Sequence, residues 1–175
     1  FNSIAGMEII PILPGDFRGE YSNCIKDNDL IIGVSQSGET KDLIDIFNDI
    51  DAKDLNVRKV VLVNNMNSTL GQEKSDVAIP ILCGPEIAVP ATKSFMNQIT
   101  LFYYLAIKTA QMKLNEIDNN LTHEQRLWRQ QELDDYFVSL AKIPSLLKET
   151  LDNVSGEIEF MAGKIYMEPS IHILA

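Results

Sequence analysis

Short apolar runs alternate with amphipathic segments along the first half of the chain, in the order that a parallel sheet requires. Two nearly continuous apolar runs, Asp29–Ser35 and Lys59–Asn64, are typical of strands buried on both faces of such a sheet, and Val77–Leu82 is a weaker third. Apolar residues at helical spacing predict a helix over Thr40–Ile50. This order predicts an α/β fold, with a doubly wound parallel sheet flanked by helices in a three-layer sandwich.

Two further segments extend this pattern. Met7–Ile12 has a strand-like composition, although Pro11 lacks a backbone donor and favours an edge position or an early strand end. A helix is predicted to begin at Ala91 or Thr92 and to run towards Leu114. It is apolar nearly all round, which predicts burial in a core or at a subunit contact.

A polar linker over residues 115–120 separates this helix from the next one. Thr122 and Gln125 are three residues apart in the pattern of a capping box, so a helix is predicted to begin there. Pro144 is expected to break or restart that helix. The last residues, 170–175, form an apolar run that predicts a strand.

The two ends of the sequence predict that it is part of a longer protein. The chain begins at Phe1 without an initiator Met, and Gly6 is typical of the residue that ends a helix. The earlier turns of that helix would then precede Phe1. Because the apolar run at the other end stops before a turn, we expect a domain truncated at both ends.

Composition and charge narrow the possible partners. The 175 residues include 25 Asp and Glu against 15 Lys and Arg, a formal net charge of −10. Nucleic acids and anionic membrane surfaces attract clustered Lys and Arg, and no basic run occurs, so neither is an expected partner. No apolar run reaches the length of a membrane span. Cys24 and Cys83 are too few for a disulfide framework or a metal cluster, and a reducing, cytoplasmic location is expected.

The clearest chemical signal lies in a first segment, Ser35-Gln36-Ser37-Gly38-Glu39-Thr40, between a predicted strand and a predicted helix. Ligands of α/β proteins bind outside the carboxyl ends of the strands, where such connections between a strand and a helix lie. A helix N-terminus offers free N–H groups and a partial positive charge, three hydroxyls add donors, and Gly38 lets the backbone approach closely. This set suits a phosphate monoester. The alternative is that the hydroxyls only cap the helix and Glu39 only complements its dipole.

A second segment also leads from a strand end into a helix. It reads Gly84-Pro85-Glu86-Ile87-Ala88-Val89-Pro90-Ala91-Thr92-Lys93-Ser94-Phe95. Lys93 falls in the first helical turn, where the helix dipole disfavours a cation. A compensating anion is therefore expected. Glu86 or another structural carboxylate is favoured, and a bound ligand is the alternative.

Together the two segments resemble the SIS (sugar isomerase) domain family, and the resemblance extends over residues 1–175. Within that family the chain looks most like the first of the two SIS domains of isomerising glutamine–fructose-6-phosphate aminotransferases. The resemblance implies a flavodoxin-like sandwich in which residues 1–155 form a first SIS domain that lacks its first strand and the start of its first helix. Residues 156–175 would form a linker and the first strand of a second SIS domain.

The resemblance also implies a substrate site. Four side chains of the first segment are expected to hold the sugar phosphate, while the main chain at one position of the second segment and the side chain at another approach the sugar. The aminotransferases usually have Ser where this chain has Ala91, and Pro90 is likewise unusual; both departures leave the exact sugar and reaction open. The implied substrate-binding residues are Ser35, Gln36, Ser37, Thr40, Val89 and Ala91.

The same resemblance implies what the chain does and what it leaves to other domains. In the aminotransferases a glutaminase domain releases ammonia, and paired SIS domains convert fructose 6-phosphate into glucosamine 6-phosphate. The family's catalytic Glu, His and Lys lie in the second SIS domain or the tail after it, so no catalytic residue is assigned here, and His123 and His172 are expected to be structural. The implied function is the sugar-phosphate-binding isomerase part of such an aminotransferase, which acts in amino-sugar synthesis as a homodimer without a metal or nucleotide cofactor.

Two other functions stay open. A two-SIS deaminase or isomerase that acts on amino-sugar phosphates without a glutaminase is favoured by the sequence Ala91-Thr92-Lys93-Ser94. A non-catalytic SIS domain would instead bind a sugar phosphate in order to regulate a partner. The expected ligand is fructose 6-phosphate or glucosamine 6-phosphate.

Overall fold

The computed structural model describes residues 1–87, 91–116 and 121–172. The chain divides into two compact units, Phe1–Asn119 and Asn120–Ala175. The first unit contains the sheet, and the second consists mainly of one long helix.

The first unit is built on a parallel sheet of three strands in the order β1-β2-β3. The strands are Leu30–Ser35 (β1), Arg58–Val63 (β2) and Val77–Pro80 (β3). β1 and β2 pair along their full length, with Ser35 beside Val63 at the carboxyl edge. All three strand predictions are confirmed.

The helices of the first unit follow the strands in the order predicted. The helix expected over 40–50 lies between β1 and β2, and the long helix expected after residue 92 follows β3. The stop predicted at Gly6 is confirmed, because the first helix ends at the preceding residue and Gly6 has a φ of 56°. The helices are α1 (Asn2–Ala5), α2 (Pro14–Asp16, continued by a π-helical turn over Phe17–Tyr21), α3 (Lys41–Asp51), α4 (Thr69–Gln72) and α5 (Lys93–Asn115).

The central strand sends side chains to both faces of the sheet, because successive side chains of a strand alternate. Val61 and Val63 of β2 pack in one buried cluster with the apolar face of α3, which includes Phe47. Leu62 packs in a second cluster that includes Phe102 of α5. Helices therefore cover both faces of a parallel sheet, which confirms the predicted α/β fold.

Gly33 sets how closely α3 approaches the sheet. A Cβ at this position would lie 2.8 Å from Cδ2 of Leu43 and 3.2 Å from Cζ of Phe47. The side chains of α3 therefore rest directly on the backbone of β1. This close contact fixes where the first turn of α3 lies relative to the end of the strand.

The strand predicted over Met7–Ile12 is wrong, since this stretch has no regular secondary structure. A strand needs a neighbour that bonds its peptide groups. Here the N–H of Ile9 donates to Oδ1 of Asn2 instead (3.2 Å), and Pro11 has no N–H to offer. The side chain of Ile10 is exposed, as expected for a segment that lies outside the sheet.

The second unit contains one continuous helix, α6 (His123–Ile165). Its capping box is confirmed: Thr122 accepts a hydrogen bond from the N–H of Gln125, whose side chain accepts one from the N–H of Thr122. The break predicted at Pro144 is wrong, because the helix continues through it. Proline removes one backbone hydrogen bond, but its fixed φ is compatible with a helix. The helix continues because the backbone hydrogen bonds on either side of Pro144 are kept.

The end of the second unit bears on two further predictions. Of the strand predicted over 170–175, residues 170–172 have no regular secondary structure and 173–175 lie outside the described residues. Residues 156–165 continue α6, and the predicted domain boundary at 155 stays a prediction. No helix in the described parts of the chain is long and apolar enough to cross a membrane.

The buried cluster between α3 and the sheet leads to a stability prediction. Phe47 is fully buried, so Phe47→Ala is expected to lower the free energy of unfolding by about 4 kcal/mol through lost burial and a residual cavity. Phe160→Ala is the matched control, because this ring is 64% exposed, and a change below about 0.5 kcal/mol is expected. Chemical denaturation measures both. Equal losses in the two variants would contradict the assignment of the core.

Candidate functional site

The first segment lies at the carboxyl edge of the sheet, as predicted. Ser35 is the last residue of β1 and Thr40 is the N-cap of α3, so only residues 36–39 connect the strand to the helix. Such a short connection keeps the start of α3 close to the sheet edge, where α/β proteins bind their ligands.

The buried hydroxyl of Ser35 holds this turn together through two hydrogen bonds. It is only 4% exposed, its Oγ accepts a hydrogen bond from the N–H of Gly38 (2.9 Å), and it shares a second bond with Oγ1 of Thr40 (2.7 Å). When Ser35 donates in that second bond, the hydroxyl proton of the exposed Thr40 is left free for a ligand. Ser35 therefore shapes the site, and direct contact between Ser35 and a ligand stays a prediction.

Gly38 presses the turn against the start of α4. Its φ is 73°, and a Cβ there would lie 1.9 Å from Oγ of Ser68, the buried N-cap of α4. The carbonyl of Gly38 also accepts a hydrogen bond from the N–H of Leu70 (3.1 Å). Both the backbone conformation and the close contact require glycine at this position.

Glu39 belongs to the same contact with α4. Its Oε1 accepts a hydrogen bond from the N–H of Thr69 (2.7 Å), and this bond lowers the pKa of the Glu39 carboxyl. The sequence alternative placed Glu39 at the dipole of α3. The structure instead directs its carboxylate to the first residue of α4, so its role is structural but concerns a different helix.

The N-terminus of α3 is left open. No side chain caps it, and the N–H groups of Lys41 and Asp42 have no acceptor among the described residues, whereas those of the next two residues bond to the carbonyl of Thr40. Ser37 is exposed, and its Oγ accepts a hydrogen bond from the N–H of Glu39 (3.1 Å), which leaves its own proton free to donate. Free N–H groups and hydroxyls thus occur together at a helix N-terminus, a place that favours anions.

The N-terminus of α5 is already filled. Oε1 of Glu86 accepts hydrogen bonds from the N–H groups of Thr92 (2.7 Å) and Lys93 (3.0 Å), and Oε2 accepts one from the hydroxyl of Ser94. The Ser94 hydroxyl and the Thr92 N–H lower the pKa of Glu86 to about 2. The ammonium of Lys93 donates to the carbonyl of Pro85 (2.7 Å). The expectation that Glu86 is the compensating anion is confirmed.

Asn64 connects the two segments and was missed as a site residue. It follows β2, its N–H donates to the carbonyl of Gln36 (3.2 Å), and its side chain bonds to Gly84 and to the N–H of Cys83. The sequence placed Asn64 only at a strand end. An amide side chain at the carboxyl end of the central strand is the signal that could have found it.

The predicted site residues are only partly brought together. Those of the first segment share one turn, and Ala91 is exposed immediately before Thr92, the N-cap of α5. Val89 lies outside the described residues. Within the described residues, no group of three or more His, Cys, Asp or Glu side chains is arranged to hold a metal ion. The residues gathered in the first segment are Ser35, Gln36, Ser37 and Thr40.

The bonds of Glu86 lead to a prediction for stability against pH. Its pKa in the folded chain is about 2, below that of an ordinary glutamate, so its stabilising effect is present above about pH 4.5 and is lost as the pH falls towards 2. We expect the decrease in melting temperature between about pH 6 and about pH 3 to be smaller in Glu86→Gln than in the unmodified chain. Glu73→Gln, which changes an exposed glutamate of the same unit, is the control and should keep the full decrease.

Curated relatives include glutamine–fructose-6-phosphate aminotransferases [isomerizing]. The protein of Aquifex aeolicus is 36% identical over 165 residues, which are 94% of this chain and 23% of the relative. That of Thermotoga maritima is 34% identical over 127 residues, 73% of this chain and 18% of the relative. The chain thus spans less than a quarter of the length of these relatives.

Two solved structures share the fold. One is described as a proposed phosphosugar isomerase involved in capsule formation from Bacteroides fragilis. It matches with a TM-score of 0.58 and 19% sequence identity, and the match covers 73% of this chain and 65% of that protein's chain. The other is described as a proposed phosphosugar isomerase from Clostridium difficile. It matches with a TM-score of 0.63 and 16% sequence identity, and the match covers 90% of this chain and 42% of that protein's chain.

A family model fits the same part of the chain that carries the sheet and both segments. The model of the SIS domain matches residues 1–108, which is more than half of the sequence. This match, the parallel sheet with helices on both faces and the open helix N-terminus after β1 agree with one another, and the chain belongs to the SIS domain family.

Proposed function

We propose that the chain is the sugar-phosphate-binding, isomerase part of an isomerising glutamine–fructose-6-phosphate aminotransferase. One observation carries the proposal. The two long helices of the first unit, α3 and α5, begin near the carboxyl ends of the strands. The carboxylate of Glu86 binds the N-terminus of α5, whereas no side chain caps the N-terminus of α3. An external anion therefore binds at α3.

The donors around the open N-terminus fit a phosphate monoester. The N–H groups of Lys41 and Asp42 point their partial positive charge at the ligand. The hydroxyls of Ser37 and Thr40 and the amide of Gln36 add donors for the remaining phosphate oxygens. A phosphate is held in this way without Lys or Arg, which is consistent with a net charge of −10.

The proposed division of labour follows from what the chain carries. The substrate phosphate binds at the first segment, and the sugar extends towards the second segment, with Val89 and Ala91 as its proposed contacts. Proton transfer, ring opening and imine formation are assigned to residues outside this chain. The similarity to aminotransferases over most of the chain supports this assignment.

We also propose that the chain works as a cytoplasmic homodimer. Phe95, Ile99 and Tyr103 follow one another at four-residue spacing on α5 and are all at least one-third exposed, and Met96 extends the same stripe. Such a stripe on a helix that already packs on the sheet suits a contact with a second subunit. The absence of basic runs makes nucleic acid or an anionic membrane surface unsuitable as a partner.

A second candidate function is that of an amino-sugar-phosphate deaminase or isomerase without a glutaminase. The observation in its favour is Ala91, which is exposed and offers only a methyl group where the aminotransferases usually have a hydroxyl. The aminotransferase takes nitrogen from glutamine, whereas the deaminase or isomerase does not use glutamine. A dependence on glutamine therefore decides between the two candidates.

The full-length protein is expected to form glucosamine 6-phosphate from fructose 6-phosphate only when glutamine is supplied. Chromatographic detection of the amino-sugar product, with and without glutamine, measures this. Ammonium chloride in place of glutamine is the control for the SIS part alone. Deamination of glucosamine 6-phosphate with no response to glutamine would favour the second candidate.

A substitution in the first segment tests phosphate binding itself. Ser37→Ala removes a hydroxyl expected to donate to the phosphate, so the affinity for fructose 6-phosphate should fall about tenfold. Ser3→Ala is the matched control, since Ser3 is an exposed serine on α1, and it should leave the affinity unchanged. Isothermal titration calorimetry measures both. An unchanged affinity in Ser37→Ala would argue against this placement of the phosphate.

A further inference from the structure

Asn64 is the residue through which the two segments of the site are bonded to each other. It follows the central strand β2 and is half-buried. Its backbone N–H donates to the carbonyl of Gln36 in the first segment (3.2 Å). Its side-chain Nδ2 donates to the carbonyl of Gly84, the first residue of the second segment (2.8 Å), and its Oδ1 accepts from the N–H of Cys83 (3.0 Å).

The side chain of Asn64 extends the sheet beyond its last backbone bond. The ladder between β2 and the chain after β3 continues to the bond between the N–H of Ile81 and the carbonyl of Val63 (2.9 Å). One step further, the amide of Asn64 offers a donor and an acceptor to Cys83 and Gly84, as a neighbouring strand would. Among the described residues the backbone ladder ends at Ile81, and the side chain of Asn64 holds the stretch that follows.

This stretch needs such support because its backbone is strained. The strained residue is Leu82, which has a φ of 58° and is 80% exposed, whereas the φ of 66° at Gly84 is one that glycine adopts freely. A left-handed conformation is unfavourable for a residue as bulky as leucine, and it persists only where the surroundings enforce it. The two bonds from Asn64 are made with Cys83, which directly follows Leu82, and with Gly84, one residue further on.

We propose that Asn64 is a positioning residue that holds the start of the second segment at a fixed place relative to the phosphate-binding turn. The inference rests on the proposed function, in which the phosphate lies at the first segment and the sugar extends towards the second. Asn64 would then set the affinity for the sugar part of the ligand and not for its phosphate.

The geometry separates these two contributions. The bond to Gln36 comes from the backbone of Asn64, so it survives any substitution that keeps the N–H. The bonds to Cys83 and Gly84 come from the side chain, so a substitution removes them alone. At the other end of the second segment, Glu86 still holds the first turn of α5. Loss of the side chain therefore releases one end of one segment.

The test compares two ligands in two matched variants of the chain. Asn64→Leu keeps the approximate shape of the side chain and removes both bonds. Asn56→Leu is the control. Asn56 lies two residues before β2 begins, at the end of the sheet opposite to Asn64, and its side chain donates a hydrogen bond to the side chain of Asn28. Fructose 6-phosphate carries sugar and phosphate, whereas glycerol 3-phosphate presents the phosphate monoester without the sugar. Calorimetry gives the four affinities.

We expect Asn64→Leu to bind fructose 6-phosphate about tenfold more weakly and glycerol 3-phosphate within about twofold of the unmodified chain. Asn56→Leu should change neither affinity. Without ligand, hydrogen exchange at the amide of Cys83 should become faster only in Asn64→Leu, because that N–H loses its acceptor. If Asn64→Leu does not fold, Asn64→Ala gives the same comparison, since it also removes both side-chain bonds and adds neither bulk nor charge.

The outcomes distinguish the two levels of the proposal. Equal weakening of both ligands by the Asn64 variant, or unchanged binding of fructose 6-phosphate despite faster exchange at Cys83, would overturn the positioning role. If the unmodified chain binds neither phosphate ligand, the proposed function fails, and this inference fails with it.

Discussion

Every helix begins with N–H groups that its own backbone cannot bond, and the site of this protein is organised by how those groups are satisfied. α4 is capped by Ser68 and receives Glu39 from the first segment, and α5 is closed by Glu86 from the second. At α3 the corresponding groups of Lys41 and Asp42 meet no acceptor among the residues that the structure describes. The proposed ligand site therefore lies at a helix end whose bonding within the described residues is incomplete.

This arrangement is consistent with the proposal that an acidic chain binds an anion. A net charge of −10 repels polyanions over long distances, but a single phosphate interacts mainly with the groups that touch it. Backbone N–H groups and hydroxyls supply those contacts with no formal charge. Because the donors are fixed by Ser35 and by Gly33, on which α3 rests, they are oriented before the ligand arrives. Preorganisation of this kind lowers the entropic cost of binding.

Much of the sheet could be predicted from the sequence because the pattern of buried strands is local. Asp29–Ser35 and Lys59–Asn64 read as strands from their own residues alone. Met7–Ile12 also read as a strand but does not form one, because a strand requires a neighbour as well, and the N–H of Ile9 bonds to Asn2 instead. Pro144 did not end its helix, because the hydrogen bonds on either side of it continue the helix.

The candidate site was predictable to the extent that it follows one stretch of sequence. Ser35 to Thr40 carry hydroxyls and a glycine in a row, and Glu86 stands a fixed distance before Lys93. Asn64 could not be recognised in the same way, since its partners lie 28 and 20 residues away along the chain. Only the pairing of strands reveals that these three places meet at one edge.

The contact between Gly38 and Ser68 defines the smallest piece of this protein that could be transplanted. The carbonyl of Gly38 and the carboxylate of Glu39 accept hydrogen bonds from N–H groups of α4, and the turn has room only because residue 38 lacks a side chain. Residues 35–40 grafted alone onto another parallel sheet would lose both partners. The portable unit is discontinuous: a designer who wants this turn must move the short helix over Thr69–Gln72 and its cap along with it.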